Sequence, residues 1–220
     1  GNPITSTGNR VGFTSKHQVL FVSNDPGPLT FAGDQAVLQR LQARGFDVTL
    51  STGTAVPNDG STATGNDLVI VSSSLTSGSV IATAGGAKFL RSSVPVIVWE
   101  SALEDDFSFQ AAGGATTDAQ TQINIVNANH PLAAGFTAGL LTVTTSPQIF
   151  SQGTPVGAHV VATISTDPTL ALLYYYDKGE KGLNGFVMPA RRVFFFFQDN
   201  AAAAVNVAGA KLVDAAVDYA

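Results

Sequence analysis

Residues 18–51 read QVLFVSNDPGPLTFAGDQAVLQRLQARGFDVTLS, and their pattern decides the fold. The unbroken apolar run at 19–22 is typical of a strand that is buried on both faces of a parallel sheet. A loop rich in turn-forming residues follows, and Asp34 is a suitable N-cap for an amphipathic helix that ends at Gly45. Residues 46–50 then alternate between apolar and polar side chains, which predicts a second strand. Because crossovers between parallel strands are right-handed, this βαβ unit predicts an open α/β sheet.

Three more apolar runs extend that sheet. Residues 68–71 and 95–99 predict two further buried strands. Residues 193–197, which include four consecutive Phe, predict a strand at or next to the centre of the sheet. Helices are predicted over 78–91 and over 201–219, the second of them capped by the Asp-Asn pair that precedes it. Each helix carries an apolar face with which it can cover the sheet.

The middle of the chain has a different pattern. Residues 110–121 are mainly Ala, Gly, Thr and Gln, and they predict a loop or a short helix. Short strands of the half-exposed, antiparallel kind are predicted near 123–126, 141–144, 158–164 and 170–176. The pattern as a whole predicts one α/β domain over residues 18–220, with a mostly parallel central sheet and an antiparallel extension.

Composition excludes several classes of function. The chain of 220 residues has no cysteine, so disulfides, thiolate metal sites and cysteine nucleophiles are excluded. The net charge is −5 and basic residues are not clustered, which makes nucleic acid a poor partner. No run of about 18 apolar residues occurs, so we expect no membrane span. Charged residues make up only 12% of the chain, and a weakly charged surface does little to prevent self-association.

Residues 1–17 are predicted to form a polar arm in front of the domain. The apolar anchors of this arm are Ile4, Val11 and Phe13, and through them it could dock on its own domain or on a neighbouring copy. Head-to-tail docking on a neighbour builds filaments when the rotation does not close. The arm therefore offers a route to a homo-oligomer or a filament.

Four carboxylates stand within seven residues after the fourth predicted strand, namely Glu100, Glu104, Asp105 and Asp106. Open α/β sheets bind ligands at the carboxyl ends of their strands, where Asp25 and Ser72 should also lie. The cluster could bind Ca²⁺ through its last three carboxylates, since that ion prefers oxygen ligands, and no other cofactor is expected. It could also form a sugar site or an acid/base pair. The simplest alternative is a solvated acidic loop that caps the next helix.

The weak catalytic candidates are Glu100, Ser101 and His130. Ser101 follows the fourth predicted strand and could act as a nucleophile, with His130 as its base. The sequence around it, WESAL, lacks the G-x-S-x-G pattern of a nucleophile elbow. His130 is more simply explained as the residue that shapes the turn before Pro131, with its ring bonded to the backbone. The pattern therefore favours a chain without catalytic activity.

Four segments carry a family resemblance, and they are DLVIV at 67–71, HPLAAGF at 130–136, RRVFFFFQDNAAA at 191–203 and LVDAAVDYA at 212–220. In order and spacing the chain resembles the trehalose-utilisation, or ThuA-like, branch of the class I glutamine-amidotransferase-like superfamily. The resemblance covers about residues 18–220. It implies a flavodoxin-like three-layer sandwich with a mostly parallel central sheet and an antiparallel extension.

The chain departs from this family at the catalytic position. Glutaminase members carry a Cys in a tight elbow after a core strand, with a distant His. Here Glu100-Ser101 occupies the corresponding position, so the resemblance implies that glutamine hydrolysis is absent. ThuA-like domains are associated with sugar-related proteins and with secreted multidomain proteins, which implies an extracellular or cell-surface location.

Two hypotheses about function follow from the sequence. The first is a non-catalytic, secreted bacterial domain with a structural or interaction role, which assembles with itself through the arm at 1–17. The alternative is a carbohydrate-binding or sugar-directed enzyme domain that uses the acidic pocket at the carboxyl ends of the core strands. The expected partner is thus a second copy of the chain or a carbohydrate.

Overall fold

The computed structural model describes residues 16–220, so the predictions for Ile4, Val11 and Phe13 concern residues outside this range. The strands of the parallel half are β1 (Gln18–Ser23), β2 (Asp47–Thr52), β3 (Leu68–Val71), β4 (Val96–Val98) and β11 (Arg192–Phe194). The remaining strands are β5 (Ala115–Gln120), β6 (Gln122–Ile125), β7 (Gly139–Thr142), β8 (Gln148–Gln152), β9 (His159–Ile164) and β10 (Ala171–Tyr176). The α-helices are α1 (Ala32–Ala43) and α2 (Val207–Tyr219). Neither is long and apolar enough to span a membrane.

Nine strands form one sheet in the order β2-β1-β3-β4-β11-β10-β9-β6-β7. The first five are parallel, in the order typical of flavodoxin-like folds, and the last four are joined by antiparallel pairs. Strand β11 takes the fifth place, which confirms the prediction of a central strand. The mostly parallel sheet with its antiparallel extension is therefore as predicted.

The sheet has a hydrophobic core on each face. Both α1 and α2 pack on one face, where Val37 and Leu212 are buried. The other face is covered by short 3₁₀ turns and loops that bury residues such as Phe89 and Phe109. Alternation along β10 places Tyr175 in the first core and its two neighbouring tyrosines in the second.

The helix predicted over 78–91 is wrong. A 3₁₀ turn covers Ser77–Val80, and the chain then turns through Gly85 and Gly86, whose φ angles of 88° and 76° are left-handed. Tertiary contacts replace the helical hydrogen bonds. The Lys88 ammonium donates to three backbone carbonyls of the surrounding loops at 2.8–2.9 Å.

Arg192 fixes the same covering layer from the sheet side. This first residue of β11 is fully buried, and its guanidinium donates to the backbone carbonyls of Phe89, Leu90, Ser92 and Val94 at 2.7–3.2 Å. Its Nε has no hydrogen-bond partner among the described residues. Burial lowers the pKa of Arg192 to about 10, so the group stays charged at neutral pH. One cation therefore satisfies four backbone carbonyls of the loop between Phe89 and Val94.

Both predicted helix caps are also wrong. Helix α1 begins two residues before Asp34, and the Asn200 side chain accepts from the Ala32 N–H at 3.0 Å. A Cβ at Gly33 would lie only 2.0 Å from the Asp199 carbonyl oxygen, so glycine permits this approach. Helix α2 begins at 207, where the Asn206 side chain accepts from the Gly209 N–H at 3.0 Å. The residues before it form a separate 3₁₀ turn over Ala201–Ala204.

The loop or short helix predicted at 110–121 is wrong as well, because this segment contains β5. Strand β5 pairs with β8 in a separate antiparallel sheet of two strands. Its side chains are mostly exposed, so no apolar alternation marks it in the sequence.

Candidate functional site

The carboxyl ends of the parallel strands bring several acids and serines together. Ser23 ends β1, Ser72 follows β3, Glu100 follows β4, and Asp199 lies beyond β11. In a sheet of this strand order, the switch point between β1 and β3 is the place where ligands bind. We call this region the carboxyl edge.

Asp34 is the best-anchored acid at the carboxyl edge. The hydroxyl groups of Ser72 and Ser74 donate to its two carboxylate oxygens at 2.6 and 2.5 Å. Burial raises the pKa of Asp34, although the two serine hydroxyls oppose that shift. The first turn of α1 thus supplies an acid that ties the helix to the loop after β3.

Glu100 is a buried acid whose pKa lies near neutral pH. Only 7% of it is exposed, and it accepts a hydrogen bond from the Ala102 N–H at 2.8 Å. Burial raises its pKa to about 7, and the negative charge of Asp199 adds to this effect. The Asp199 N–H in turn donates to the Ser73 hydroxyl at 2.6 Å. Glu100 does cap the following 3₁₀ turn, but it is buried rather than solvated.

Asp25 is used by its own loop. Its carboxylate accepts from the Thr30 N–H at 3.2 Å and from the Thr30 hydroxyl. The nearby Ser23 hydroxyl donates to the Asp25 carbonyl at 2.8 Å. These contacts shape the turn between β1 and α1 and leave Asp25 half-buried.

Glu104 follows the 3₁₀ turn Ser101–Leu103 and has no exposed surface. The Tyr174 hydroxyl donates to Oε2 at 2.6 Å, whereas Oε1 has no partner among the described residues. A Cβ built on Gly114 would lie 1.9 Å from that Oε1 and 2.6 Å from the Gln152 carbonyl oxygen, so the two oxygens are close neighbours. Burial raises the pKa of Glu104 to about 8, with a contribution from the charge of Asp105. Glu104 is therefore a carboxylic acid at neutral pH, and it sits where the main sheet meets the β5–β8 sheet.

The calcium site predicted from Glu104, Asp105 and Asp106 is not assembled. Glu104 is buried against Tyr174, whereas Asp105 is exposed and Asp106 half-exposed. Within residues 16–220, no group of three or more His, Asp or Glu side chains is arranged to hold a metal ion.

Ser101 and His130 are not brought together either. Ser101 is buried just beyond the carboxyl end of β4. His130 stacks on Tyr175 with ring centroids 4.1 Å apart and contacts the Tyr219 ring at 4.6 Å. Tyr219 ends α2 beside Arg191, which precedes β11, so His130 lies at the opposite end of the parallel strands. Its Nδ1 accepts from the Leu132 N–H at 3.3 Å, which confirms the predicted bond from its ring to the backbone.

A cavity of ≈ 240 Å³ opens at the carboxyl edge next to the switch point. Its polar lining consists of hydroxyl and amide side chains from the ends of β1 and β2 and from the loop after β3, namely Ser23, Asn24, Thr52, Thr54, Thr76 and Ser79. A lining of this kind suits a neutral, hydroxyl-rich ligand better than a charged one.

Sequence reasoning missed Asp34, Asp199, Ser73 and Ser74 as members of the carboxyl edge. A signal for three of them was available. The serine triplet at 72–74 and the segment QDN at 198–200 both follow predicted core strands directly, as Glu100 does. The rule that ligands bind at carboxyl ends applies to each of these strands. Asp34 carried no such signal, because its sequence position suggests a helix cap.

Comparison with solved structures identifies the fold. A ThuA-like protein from Bacteroides uniformis ATCC 8492 superposes with a TM-score of 0.60 and 9% sequence identity, over 96% of this chain and 94% of that one. This chain has a ThuA-like fold. A ThuA-like protein from Parabacteroides merdae ATCC 43184 superposes with a TM-score of 0.51 and 12% identity, over 92% of this chain and 89% of that one. No protein-family model and no curated protein sequence matches the chain.

Proposed function

We propose that this chain is a non-catalytic interaction domain built on a ThuA-like fold. The observation that carries the proposal is the internal use of the groups that could do chemistry. Asp34 is held by two serines, Glu100 by a backbone N–H and Glu104 by Tyr174. Acids with such partners stabilise the carboxyl edge and are not free to activate a substrate.

Self-assembly outside the cell is the form of interaction that the composition favours. A chain with 12% charged residues has little charge repulsion between copies. It also has no cysteine thiol that an oxidising environment outside the cell could modify. The arm at 1–17, with Ile4, Val11 and Phe13, remains a candidate for the assembling segment and lies almost wholly outside the described residues.

Light scattering and electron microscopy of the full chain at increasing concentration test this proposal. We expect particles that grow with concentration, and a shift towards monomer when residues 1–16 are deleted. A full chain that stays monomeric at every concentration and captures no second copy would contradict self-assembly. A deletion variant that assembles normally would instead show that the contact between copies lies outside the arm.

Carbohydrate binding is a second candidate, and the cavity at the carboxyl edge favours it. Its lining of Ser, Thr and Asn side chains suits sugar hydroxyl groups. Glu100 lies on the same edge and has a pKa of about 7, so it could donate or accept a hydrogen bond near neutral pH.

Calorimetry with a panel of mono- and disaccharides tests this second candidate. Glu100→Gln should weaken binding at least about tenfold, a loss of about 1.4 kcal/mol, while the fold stays intact because Gln can still accept from the Ala102 N–H. The matched control is Asp105→Asn, which removes an exposed carboxylate five residues away. Sugar binding that is equal in both variants and the parent chain would rule out a role for Glu100.

A further inference from the structure

Residues 119–166 contain no Asp, Glu, Lys or Arg, although the chain has 27 such residues in total. This charge-free segment forms β6, β7 and β9 of the antiparallel extension and β8 of the separate two-stranded sheet. The segment also concentrates the apolar surface. Four of the six large hydrophobic side chains that are exposed in residues 16–220 belong to it, namely Val126, Leu140, Ile149 and Val156. Exposed apolar groups without flanking charges are typical of surfaces that bind protein.

The extension ends in a strand edge that is open. Among the described residues, β7 pairs with β6 and with no other strand. The Val143 N–H donates to the Thr121 carbonyl at 2.9 Å, and hydrogen bonding alternates along an antiparallel pair. Leu141 and Gly139 therefore face β6, whereas the N–H and C=O of Leu140 point outward. The Thr142 carbonyl, which also points outward, accepts from the Asn206 side chain at 2.8 Å.

The face of the sheet that carries Leu140 is also uncovered near this edge. Leu140 is opposite Asn124, which is opposite Thr163, so the three side chains point to the same face. Leu140 is 63% exposed on that face. Asn124 on β6 is half-buried, and Thr163, one strand further from the edge, is buried and lines a cavity of ≈ 380 Å³ with Val126. The helices α1 and α2 cover the other face.

Edge strands of monomeric proteins are usually protected by charges, above all by lysine. The opposite edge of this sheet follows that rule, because β2 begins with the exposed Asp47 and follows Arg44 in the sequence. Strand β7 contains no Asp, Glu, Lys or Arg, and the nearest such residues in the sequence are Asp118 and Asp167. Antiparallel pairing of β7 with its counterpart therefore places no like charges directly opposite each other.

We propose that β7 is the contact through which this chain binds a second copy of itself, by antiparallel pairing of β7 with its counterpart around Leu140. The two copies are then related by a twofold axis, and their sheets become continuous. The Leu140 N–H and C=O of each copy find partners, and the two Leu140 side chains become cross-strand neighbours. This inference rests on the proposed interaction function and assigns a surface to it.

Sedimentation equilibrium of the full chain, together with a charge substitution, tests the contact. Leu140→Lys places two like charges opposite each other across the axis, and we expect the dimer dissociation constant to rise at least about tenfold. The matched control is Thr49→Lys, an exposed position on the edge strand β2, which should leave dimerisation unchanged. Circular dichroism checks that both variants are folded.

A disulfide trap provides a second, independent measurement. The chain has no cysteine, so Leu140→Cys introduces a single thiol. Paired residues of this kind have Cα atoms about 5.5 Å apart, within the range that a disulfide can bridge. With oxidised glutathione we expect covalent dimers of Leu140→Cys and none of Thr49→Cys.

The outcomes separate this inference from the proposed function. A dimer that Leu140→Lys weakens and Leu140→Cys traps supports the β7 contact. An assembly that is unchanged by Leu140→Lys and sensitive to deletion of residues 1–16 overturns the β7 contact and leaves the interaction function standing. A chain that stays monomeric overturns both.

Discussion

The parallel half of the sheet and its antiparallel extension differ in their content of ionisable side chains. The parallel half buries ionisable groups at both ends of its strands, with Glu100 and Glu104 at the carboxyl end and Arg192 at the amino end of β11. The extension has no Asp, Glu, Lys or Arg over 119–166 and exposes apolar side chains such as Leu140.

From this difference we expect the parallel half to provide stability and the extension to provide the surface for interaction. In the parallel half, the buried ionisable groups bind backbone groups or, in the case of Glu104, the Tyr174 hydroxyl, so the loss of these bonds should destabilise the fold. In the extension, the apolar groups on the uncovered face support little of the core, so their substitution should be felt by partners. The predictions below test this division, beginning with the largest effect.

Arg192→Met should destabilise the fold by about 4 kcal/mol, because three backbone carbonyls lose the guanidinium as their donor and the Phe89 carbonyl keeps only the Ser92 N–H. The matched control is Arg191→Met, which removes a partly exposed ion pair with Asp177 and should cost about 1 kcal/mol. Urea unfolding of both variants measures the difference. Equal losses in the two variants would show that the parallel half does not depend on its buried cation.

Glu104→Gln should change how stability depends on pH. The pKa of Glu104 is raised from 4.5 to about 8, so the folded state holds a proton that the unfolded state releases first. The wild-type chain therefore loses several kcal/mol of stability as the pH rises from about 4.5 to 8. Glu104→Gln cannot ionise and should lose the larger part of this slope, while the raised pKa of Glu100 preserves the rest. The Gln side chain keeps an acceptor for Tyr174.

Thermal unfolding between pH 4 and pH 9 measures this effect. Asp47, an exposed acid at the start of the edge strand β2, provides the control, since Asp47→Asn leaves the surroundings of Glu104 unchanged and should retain the wild-type slope. A Glu104→Gln variant with the same slope as the wild type would mean that Glu104 is not the group that holds the proton.

The contrast between the two halves also explains what the sequence could predict. The strands β1, β3 and β11 are recognisable because burial on both faces produces unbroken apolar runs. The failed helix over 78–91 has an apolar face, but the Lys88 ammonium donates to the Ser79 carbonyl within it. The Phe89 carbonyl accepts from Arg192, which lies 103 residues further along the chain. No local pattern reports such a bond.

The sequence also predicted part of the candidate site. Ser72 and Glu100 were expected at the carboxyl edge because they follow core strands. The role of Asp34 was not predictable from the sequence. The helix cap that it was expected to provide comes from Asn200, which lies 168 residues beyond Ala32, the first residue of α1. Strand β5 was missed because its exposed polar residues form a strand only through pairing with β8.

His130→Asn tests a polar contact at the amino end of the parallel strands. The Nδ1 of His130 accepts from the Leu132 N–H, and burial lowers the pKa of His130, although Asp177 opposes that shift. A lowered pKa in the folded state means that stability is full above about pH 6.5 and falls as the pH drops below it. Protonation of Nδ1 removes the cap acceptor, so the loss should be about 1 kcal/mol.

Asn can accept the same N–H but does not titrate, so His130→Asn should hold its stability as the pH falls from 7 to 5. His159→Asn is the control, because His159 is half-exposed and pairs with Glu180 instead of a backbone N–H. Chemical unfolding at the two pH values gives the comparison. A loss of stability on acidification that persists in His130→Asn would assign the acid response to another group.

Leu140→Lys should have the smallest effect on the fold of a single copy. Leu140 is 63% exposed on the uncovered face of the extension, so its removal should change the free energy of unfolding by less than about 0.5 kcal/mol. The matched control is Leu141→Lys, the next residue, whose side chain faces the core shared with α2 and should cost several times more. Both are measured by urea unfolding at a concentration that keeps the chain monomeric. If Leu140→Lys destabilised the monomer as much as Leu141→Lys, the apolar surface of the extension would be part of the core, and the division between a stabilising half and an interacting half would fail.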